Sequence, residues 1–469
     1  MMMTDEKSEQ VNELLLDEPE NGRAKRYKKL FGEEVAKLRR DQGTISVIPW
    51  SSVIVPANAT DLERLTYVPG VVGEITEWIV CGAPRPNRMM ALGAATVVVG
   101  TIIGRYVVGP TGSATHLYII ILAPSGYGKD WPLQAGEKLL DAIKKPMLIG
   151  PDSWSSEVGL QELLKRSPLL CCFVDELGDQ LSLLTSQGTN KFVSNTLGLL
   201  KKCYNAWATF HTPETVKREM VRIDWPALSI VGAATPESYF TSLTPREVEG
   251  GLANRCLTLP FEGLKRPPEC DVPPGAQEPP RDLVAKLNLL PCGPDSILDK
   301  TVDYRPAKLH RITWGPGAKE CYFEFSREMD KLAGQGREHI LAMRACENSA
   351  RFATDVATGR FSLTVDVEDI SHSNKLSKLS FEAMVGGIEK YMQEYFDFPK
   401  FCDQVAAAFK SRGFISKRDL NRDFFRRMRQ GFELDRVVVQ LVKQDLIEFA
   451  RQAPPTGGHT AEGWKWIGD

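Results

Sequence analysis

The chain has 469 residues, 42% of them hydrophobic and 25% charged, which is the composition of an ordinary soluble protein of about two to four domains. Its net charge of −2 excludes a chain that is basic throughout, so any surface for nucleic acid has to be local. The ten cysteines form no C-x-x-C pair and the six histidines add no zinc-ligand spacing, a pattern that favours reduced thiols in a reducing compartment.

The N-terminal part of the chain predicts a charged arm followed by buried helices. Residues 1–45 are first acidic and then basic, and they contain no secretory signal, so we expect a flexible arm there. The most apolar run, Ala91–Gly104, is too short to span a bilayer and contains glycines. We therefore expect a buried helix in that run, assign residues 46–112 to a helical segment packed on the next domain, and predict no membrane partner.

The segment Leu117–Pro132 has the layout of a phosphate-binding loop. An apolar strand, Tyr118–Leu122, runs into a glycine-containing turn that ends in Lys129, and a helix-compatible segment follows. Glycines let backbone N–H groups turn towards phosphate, the helix N-terminus adds partial positive charge, and the lysine reaches the β- and γ-phosphates. The predicted nucleotide contacts of this loop are Ala123, Pro124, Ser125, Gly126, Tyr127, Gly128, Lys129 and Asp130.

Two positions depart from the usual pattern Gly-x4-Gly-Lys-Ser/Thr. Ala123 replaces the first glycine, which is a mild change, whereas Asp130 stands where a hydroxyl normally ligates Mg²⁺. A carboxylate at that position alters the charge around the metal. Taken alone, the loop leaves open a strand–helix turn with a solvated lysine, and the downstream motifs favour nucleotide binding.

A second apolar run ends in the acidic pair Asp175 and Glu176. A buried strand can deliver an aspartate to the Mg²⁺ shell, and the adjacent glutamate can polarise the attacking water. Such a run is common by chance, but it follows Lys129 after a predicted helix, a short strand at Ile149–Ser153 and another helix, and this order makes the pair specific. We predict Asp175 and Asp130 as metal ligands and Glu176 as catalytic.

A third apolar strand, Ala227–Ala234, ends at Thr235, whose hydroxyl would lie beside the γ-phosphate; an ordinary strand cap is the alternative. Arg255 lies further along, between a glycine-rich turn and another apolar strand. The alternating segment before the third strand carries basic residues at Lys217, Arg218 and Arg222.

The rest of the chain predicts a connector, a helical region that ends in a helix pair at Val367–Tyr395, and a separate small domain. Arg344, Glu347 and Arg351 share one helical face by their i, i+3, i+7 spacing, and from the residues alone this is a solvated face. After residue 396, three helices and two strands around a turn describe a winged helix; its second helix is predicted to start after a Ser416 cap, and its third is predicted at Leu434–Lys443. Its second helix carries basic residues that fit phosphate contacts, unless this face is solvated in a protein-binding domain; they are Lys417, Arg418 and Arg422.

The order of these motifs resembles AAA+ helicase-type ATPases of bacteriophages and mobile elements, the group that includes primase-helicases. The phrases VPGVVGEITEWIV, LGAATVVVGTIIGRY, LYIIILAPSGYGKD and RFATDVATGRFSLTVDVEDI carry the resemblance over roughly residues 46–395. In that group Gly-Lys-Asp looks like an accepted loop variant. No primase signature is present.

The resemblance implies an α/β fold: an AAA+ P-loop core with a parallel sheet, a helical N-terminal collar and lid, and a C-terminal winged helix. The domains expected on this basis are the arm 1–45, the collar 46–112, the core 113–265, a proline-rich connector 266–310, the lid 311–396 and the winged helix 397–469.

A more distant likeness to minichromosome-maintenance helicases suggests roles for the remaining residues. Thr235 would be the first sensor, Arg255 the arginine that acts on a neighbouring subunit's ATP, and Arg344 the second sensor that contacts the nucleotide. Lys217 and Arg218 would lie on a hairpin that grips single-stranded DNA.

The expected function is an ATP- and Mg²⁺-dependent DNA helicase that forms a homo-oligomeric ring, which we expect to be a hexamer. It would act on single-stranded or forked DNA with other replication proteins in the bacterial host cytoplasm. Two alternatives remain open at this point. One is an AAA+ initiator or helicase loader without processive unwinding. The other is a nucleotide-binding DNA regulator that does not hydrolyse ATP.

Overall fold

The computed structural model describes residues 46–154, 156–185, 191–205, 207, 209–211, 220, 222–243, 247–248, 250–260, 266–292, 309–333, 338–428, 434–452 and 460–468. The chain divides into two compact units between residues 385 and 386. The predicted arm, residues 1–45, lies outside the described residues. No helix in the described ranges is both long and apolar enough to cross a membrane.

The first unit combines short and long helices with several small strands and one central sheet. Its strands are β1 (Val107–Val108), β2 (Tyr118–Leu122), β3 (Leu169–Val174), β4 (Thr209–His211), β5 (Arg222–Asp224), β6 (Ala227–Ala234), β7 (Cys256–Leu259), β8 (His310–Arg311), β9 (Thr313–Trp314) and β10 (Thr364–Val365). Its helices are α1 (Asp61–Arg64), α2 (Gly70–Gly82), α3 (Arg88–Ile102), α4 (Asp130–Ala142), α5 (Glu157–Arg166), α6 (Leu177–Thr185), α7 (Lys191–Tyr204), α8 (Pro236–Ser242), α9 (Arg281–Leu287), α10 (Ala318–Ala333), α11 (Ala345–Gly359) and α12 (Val367–Tyr391).

The central sheet is parallel and has four strands in the order β3-β6-β2-β7. Every residue of β2, β3 and β6 is buried. Strands of this kind read as continuous apolar runs because helices cover both faces of a parallel sheet. The predicted α/β core with a parallel sheet is therefore present.

The strand register defines two edges of this sheet. Tyr118 lies opposite both Ile230 and Cys256, so β2 and β7 begin side by side. At the other end Leu122 lies opposite Ala234. We call the side where the strands start the amino edge and the side where they finish the carboxyl edge.

Two helical layers enclose the sheet. Helix α3 packs against β2, β3, β6 and β7, and all of its residues after Arg88 are buried, as predicted for the apolar run. Ile119 and Ile121 join the core on this side. Tyr118 and Ile120 alternate with them and meet α6 and α7 on the opposite face. This alternation is the period of two expected for a strand buried on both faces.

Two local predictions differ from the structure. The strand predicted at Ile149–Ser153 is reduced to one parallel bridge between Ile149 and Cys171. The helix pair predicted in residues 367–395 is a single continuous helix, α12, up to Tyr391. Before β6, the described strands β4 and β5 pair antiparallel, and the residues between them that were predicted to grip DNA lie outside the described part of the chain.

The second unit has its own core and its own sheet. It contains α13 (Gln393–Arg412), β11 (Phe414–Ser416), α14 (Lys417–Met428), α15 (Leu434–Lys443), β12 (Ile447–Gln452) and β13 (Ala461–Trp466). The strands form an antiparallel sheet in the order β11-β13-β12, one strand more than predicted. The Ser416 hydroxyl accepts a hydrogen bond from Asp419 N–H at 3.1 Å, which caps α14 as the sequence indicated.

Candidate active site

The carboxyl edge brings together three parts predicted from sequence. The phosphate loop, residues 123–129, follows β2; the acidic pair, Asp175 and Glu176, follows β3; and Thr235 follows β6, which lies between the other two strands. A hydrogen bond of 3.0 Å from Ala123 N–H to the last carbonyl of β6 ties the loop to the neighbouring strand. Crevices at the carboxyl ends of parallel strands are the usual ligand sites of open α/β sheets.

The glycines of the phosphate loop are required by its backbone. Gly126 and Gly128 have φ values of 76° and 80°, a left-handed conformation that disfavours side chains. A Cβ on Gly128 would also lie 2.9 Å from the carbonyl oxygen of Arg85. Helix α4 begins at Asp130, with Lys129 as its N-cap residue, so the lysine lies at the positive end of a helix dipole.

Two arginines beside the loop were not predicted. The Arg266 guanidinium donates from Nε to the carbonyl of Gly126 at 3.3 Å. Arg85 forms an ion pair with Glu269 at 2.5 Å, which holds the backbone that passes over Gly128. Both contacts join segments that are far apart in sequence, and no local motif marks them.

The acidic pair is exposed at the end of β3. Glu176 has a φ of 51°, and its N–H donates to Asp175 Oδ1 at 2.9 Å. A non-glycine residue in this region costs on the order of 1–3 kcal/mol, and such strain often occurs at functional sites. Both carboxylates are exposed, so a ligand at the carboxyl edge can reach them.

Thr235 is the N-cap of α8, and its hydroxyl oxygen accepts from Ser238 N–H at 3.2 Å. The sequence left an ordinary strand cap as the alternative role of Thr235. The structure does show a capping role, but the element that is capped is helix α8. Because a threonine hydroxyl also has a proton to donate, capping leaves it able to contact a water or a phosphate oxygen. Its role as a sensor stays a prediction.

Arg255 lies at the opposite edge of the sheet from the loop. It ends a 3-10 turn, Ala253–Arg255, directly before β7, and the first residue of β7 pairs with Tyr118. The length of β2 therefore separates Arg255 from the phosphate loop of its own chain, a distance of about 13 Å at the usual rise per residue.

Arg344 lies with Arg255 at the amino edge and not at the phosphate loop. The 3-10 turn that ends at Arg344 packs on the turn that contains Arg255. Both guanidinium groups lie near the ring of Tyr204, at 5.7 Å for Arg255 and 6.0 Å for Arg344. The nucleotide contact predicted for Arg344 would therefore involve a different site from that of Lys129 in the same chain.

The face formed by Arg344, Glu347 and Arg351 is not the solvated face read from the residues alone. Arg351 is fully buried and donates to the carbonyls of His116 and Tyr204, each at 2.7 Å. Glu347 pairs with Arg351 at 2.6 Å and also contacts Arg344. Interior guanidinium groups need such partners, and the helical spacing alone could not show that α11 is enclosed.

Electrostatics at this edge follow from burial. Burial opposes ionisation of Glu347, but Arg351 and Arg344 outweigh it and lower the pKa of that carboxyl. Burial, with the nearby charge of Arg344, lowers the pKa of Arg255. Burial and then the charge of Arg351 lower the pKa of His116 to about 3, so the imidazole is neutral at pH 7. It then donates from Nε2 to the carbonyl of Tyr204 at 3.1 Å, since a carbonyl can only accept.

The predicted DNA-binding residues are distributed over both units. Lys217 and Arg218 lie outside the described residues. Arg222, on β5, is exposed and pairs with Asp224 at 2.8 Å. In the second unit, the exposed side chains of α14 include Lys417 and Arg418.

Arg422, the last of the predicted DNA contacts, is exposed on α14 but is engaged by two carboxylates. It pairs with Asp419 and with Asp423, each at 3.0 Å. Contact with a phosphate would therefore compete with these acidic neighbours.

The carboxyl edge carries two of the carboxylates predicted as metal ligands. Asp130, at the start of α4, and Asp175, at the end of β3, are both exposed. Mg²⁺ is usually held by one or two carboxylates, substrate phosphates and water, so a protein cage is not required. Within the described part of the chain no group of three or more His, Cys, Asp or Glu side chains forms a metal site. Comparison with protein-family models gave no match, and comparison with curated proteins gave none either.

Proposed function

We propose that this chain is an AAA+ ATPase that forms a ring and works as a DNA helicase in the replication of a phage or mobile element. The observation that carries the proposal is the division of charged groups between the sheet edges. The phosphate loop, the acidic pair and Thr235 meet at the carboxyl edge, whereas Arg255 lies at the amino edge. A subunit with this arrangement has a nucleotide site that a second subunit completes.

Chemistry at the carboxyl edge follows from the roles of these side chains. Loop N–H groups and Lys129 bind the phosphates of ATP. Asp175, with Asp130 through water, would hold Mg²⁺, and the ion would supply positive charge against the phosphates. Glu176 accepts a proton from the attacking water, and Thr235 orients that water. The roles are supported by the common position of these groups after the ends of β2, β3 and β6.

The amino-edge arginines support a ring. Arg255 cannot reach its own loop across the sheet, so its proposed substrate contact is with the ATP of an adjacent subunit. An arginine supplied in this way stabilises the charge of the transition state, an effect of about 10³–10⁵ in rate in other NTPases. A closed ring, which we propose to be a hexamer, lets every subunit supply one arginine and receive another.

DNA contacts are proposed at two places. The antiparallel pair β4–β5 carries Arg222 and lies in sequence between α7 and β6, the strand before Thr235, so strand gripping there would be linked to the nucleotide site. The second unit has the order helix, strand, helix, helix, strand, strand, which supports a winged helix. Lys417 and Arg418 on its second helix are exposed and available to phosphates.

The deciding experiment is unwinding of a forked DNA by the purified protein with ATP and Mg²⁺, with Glu176→Gln as the matched control. We expect the wild type to separate the strands and Glu176→Gln to bind ATP without unwinding. DNA-stimulated hydrolysis that survives unchanged in Glu176→Gln contradicts the catalytic assignment. Hydrolysis without unwinding favours the loader or initiator, and nucleotide binding without hydrolysis favours the regulator.

Asp130 gives a separate test of the metal. If its carboxylate holds a water of the Mg²⁺ shell, Asp130→Ser will raise the Mg²⁺ concentration needed for half-maximal ATPase activity by about threefold to tenfold, the scale of one hydrogen bond to a charged group. An unchanged Mg²⁺ dependence would show that this carboxylate is dispensable.

A further inference from the structure

Tyr204 occupies the centre of the amino edge, a position that the proposed chemistry does not yet use. It is the last residue of α7 and is fully buried. Three guanidinium groups surround its ring: Arg351 at 3.9 Å, Arg255 at 5.7 Å and Arg344 at 6.0 Å from the ring centroid. An aromatic face attracts such cations, and the attraction is strongest where water is excluded.

The hydroxyl of Tyr204 connects the two segments that carry the outer arginines. It donates to Asn348 Oδ1 on α11, and Asn348 Nδ2 donates to the carbonyl of Asn254 at 3.4 Å. Asn254 precedes Arg255 in the 3-10 turn. The phenol therefore links α11, which follows directly after Arg344, to the turn that ends at Arg255.

The backbone carbonyl of Tyr204 accepts two further hydrogen bonds. Its carbonyl accepts from Arg351 Nη2 at 2.7 Å and from His116 Nε2 at 3.1 Å. Arg351 is itself fixed by Glu347 and by the His116 carbonyl. These hydrogen bonds restrict the orientation of the Tyr204 ring. The guanidinium groups of Arg255 and Arg344 therefore lie near an aromatic ring in a fixed position, which we call the platform.

A platform is needed because Arg255 and Arg344 carry like charges. Two neighbouring cations repel each other, and Glu347 contacts Arg344 but not Arg255 among the described contacts. Arg255 donates from Nη1 to the Gly251 carbonyl, but its buried Nε has no hydrogen-bond partner in the described part of the chain. The ring of Tyr204 lies within 6.0 Å of both guanidinium groups.

We propose that Tyr204 is a positioning residue that holds Arg255 and Arg344 as a pair for the phosphates of the adjacent subunit's ATP. The inference rests on the proposed function, because the pair has this role only in a ring that hydrolyses ATP. It assigns to Tyr204 an effect on turnover at the neighbouring site and none on nucleotide binding at the loop of its own chain.

The test compares Tyr204→Leu, which removes the ring, with Tyr204→Phe, which keeps it. We expect Tyr204→Leu to lower kcat about tenfold, the scale of a desolvated cation–π contact. ADP affinity should stay within about twofold, because the loop is at the far edge of the sheet. Tyr204→Phe should retain about a third or more of the wild-type kcat, since only the bond to Asn348 is lost. A Leu variant with wild-type kcat, or a Phe variant as slow as Leu, overturns the proposal.

A matched control separates positioning from loosened packing. Phe352 is a fully buried ring on α11 that packs against His372 instead of a guanidinium. Phe352→Leu should keep kcat within about threefold of the wild type even where it lowers the melting temperature as much as Tyr204→Leu does. An equal loss of kcat in both variants contradicts a specific role for Tyr204.

Mixed rings test the direction of the effect. Glu176→Gln subunits have a dead site but intact arginines, so adding them to Tyr204→Leu subunits should restore hydrolysis at the Tyr204→Leu loops. Adding Arg255→Ala subunits instead should restore none. Absence of rescue by Glu176→Gln overturns the inference.

Failure of the proposed function and failure of the Tyr204 inference give different results. If the wild type does not hydrolyse ATP, the proposed function fails. If the wild type hydrolyses ATP and Arg255→Ala does not, while Tyr204→Leu is normal, only the inference about Tyr204 fails.

Discussion

The two edges of the central sheet hold their charges in opposite ways. At the carboxyl edge Asp130, Asp175 and Glu176 are exposed, and the loop backbone is in conformations that suit glycine. At the amino edge Arg351 and Tyr204 are fully buried and bonded to each other. The charged groups of the carboxyl edge are therefore open to a ligand, whereas most of those at the amino edge are paired within the protein.

This difference shows what each edge requires from the fold. Exposed charges need only a rigid support, which the strand ends of a parallel sheet supply. A buried guanidinium needs every partner in place, because an unpaired interior charge costs several kcal/mol. We therefore expect substitutions of the charged residues at the carboxyl edge to affect activity alone. At the amino edge we expect partly exposed residues to affect activity, and fully buried residues to affect stability or both stability and activity.

The largest expected effect is at Arg255, the amino-edge arginine that is proposed to contact the adjacent subunit's ATP. Arg255→Ala should lower kcat by about 10³-fold or more while leaving nucleotide affinity almost unchanged. Steady-state ATPase assays and ADP titration check both values. Arg166→Ala is the control, since this exposed arginine ends α5 near the start of β3. A loss of affinity equal to the loss of kcat would place Arg255 at its own loop.

Substitution of Arg351, which is fully buried, should affect stability instead of activity. Arg351→Met removes a buried cation that neutralises Glu347 and binds two carbonyls, and should lower the free energy of unfolding by about 3–5 kcal/mol. Lys129→Met, at the other edge, should change it by less than about 0.5 kcal/mol. Urea unfolding of both variants measures the contrast. Similar values for the two would remove the distinction between the edges.

Acid sensitivity should originate in part at the amino edge. The pKa of His116 is about 3 in the folded chain against an ordinary 6.5, so between these values the unfolded chain binds more protons. Stability is therefore fully present above pH 6.5 and falls as the pH drops towards 3, by at most about 1.4 kcal/mol per pH unit from this residue.

The variant His116→Gln keeps an N–H donor for the Tyr204 carbonyl and removes the titration. Its unfolding free energy should fall less steeply than that of the wild type between pH 6 and pH 4, as measured by urea unfolding at several pH values. Parallel pH profiles for the two proteins would show that His116 does not contribute.

The smallest effects concern one glycine in α7, the helix that ends at Tyr204, and one in α4, the helix that begins at Asp130. A Cβ on Gly198, in α7, would meet nothing within 4 Å, so Gly198→Ala should stabilise the protein by about 0.5–1 kcal/mol. A Cβ on Gly136, in α4, would lie 2.2 Å from the Phe173 ring, so Gly136→Ala should destabilise it. Thermal unfolding gives the sign of each change, and a common sign would contradict the packing described for one of these helices.

Several features could be predicted from sequence because their causes are local. The strands β2, β3 and β6 appear as apolar runs because both faces of a parallel sheet are buried. Helix α15 was predicted with the bounds it has, Leu434–Lys443, and α14 begins after a serine cap. The phosphate loop and the acidic pair were visible because their residues directly follow such strands.

Other features depended on contacts between distant segments. Strand β11 has only three residues and is defined by its pairing with β13, so its own sequence gives little signal. The contact of Arg266 with the phosphate loop joins residues 140 positions apart. Hydrophobic periodicity and capping residues are local patterns, so they cannot predict a contact between such distant residues.

The sequence by itself determined the parallel core, the loop with its two left-handed glycines and the acidic pair at the end of a strand. Only the tertiary structure decided that Arg255 and Arg344 lie together at the far edge, around Tyr204, and that Arg351 is buried. The physical reason is that helical spacing shows which side chains share a face, whereas the packing of other elements decides whether that face meets water or the core.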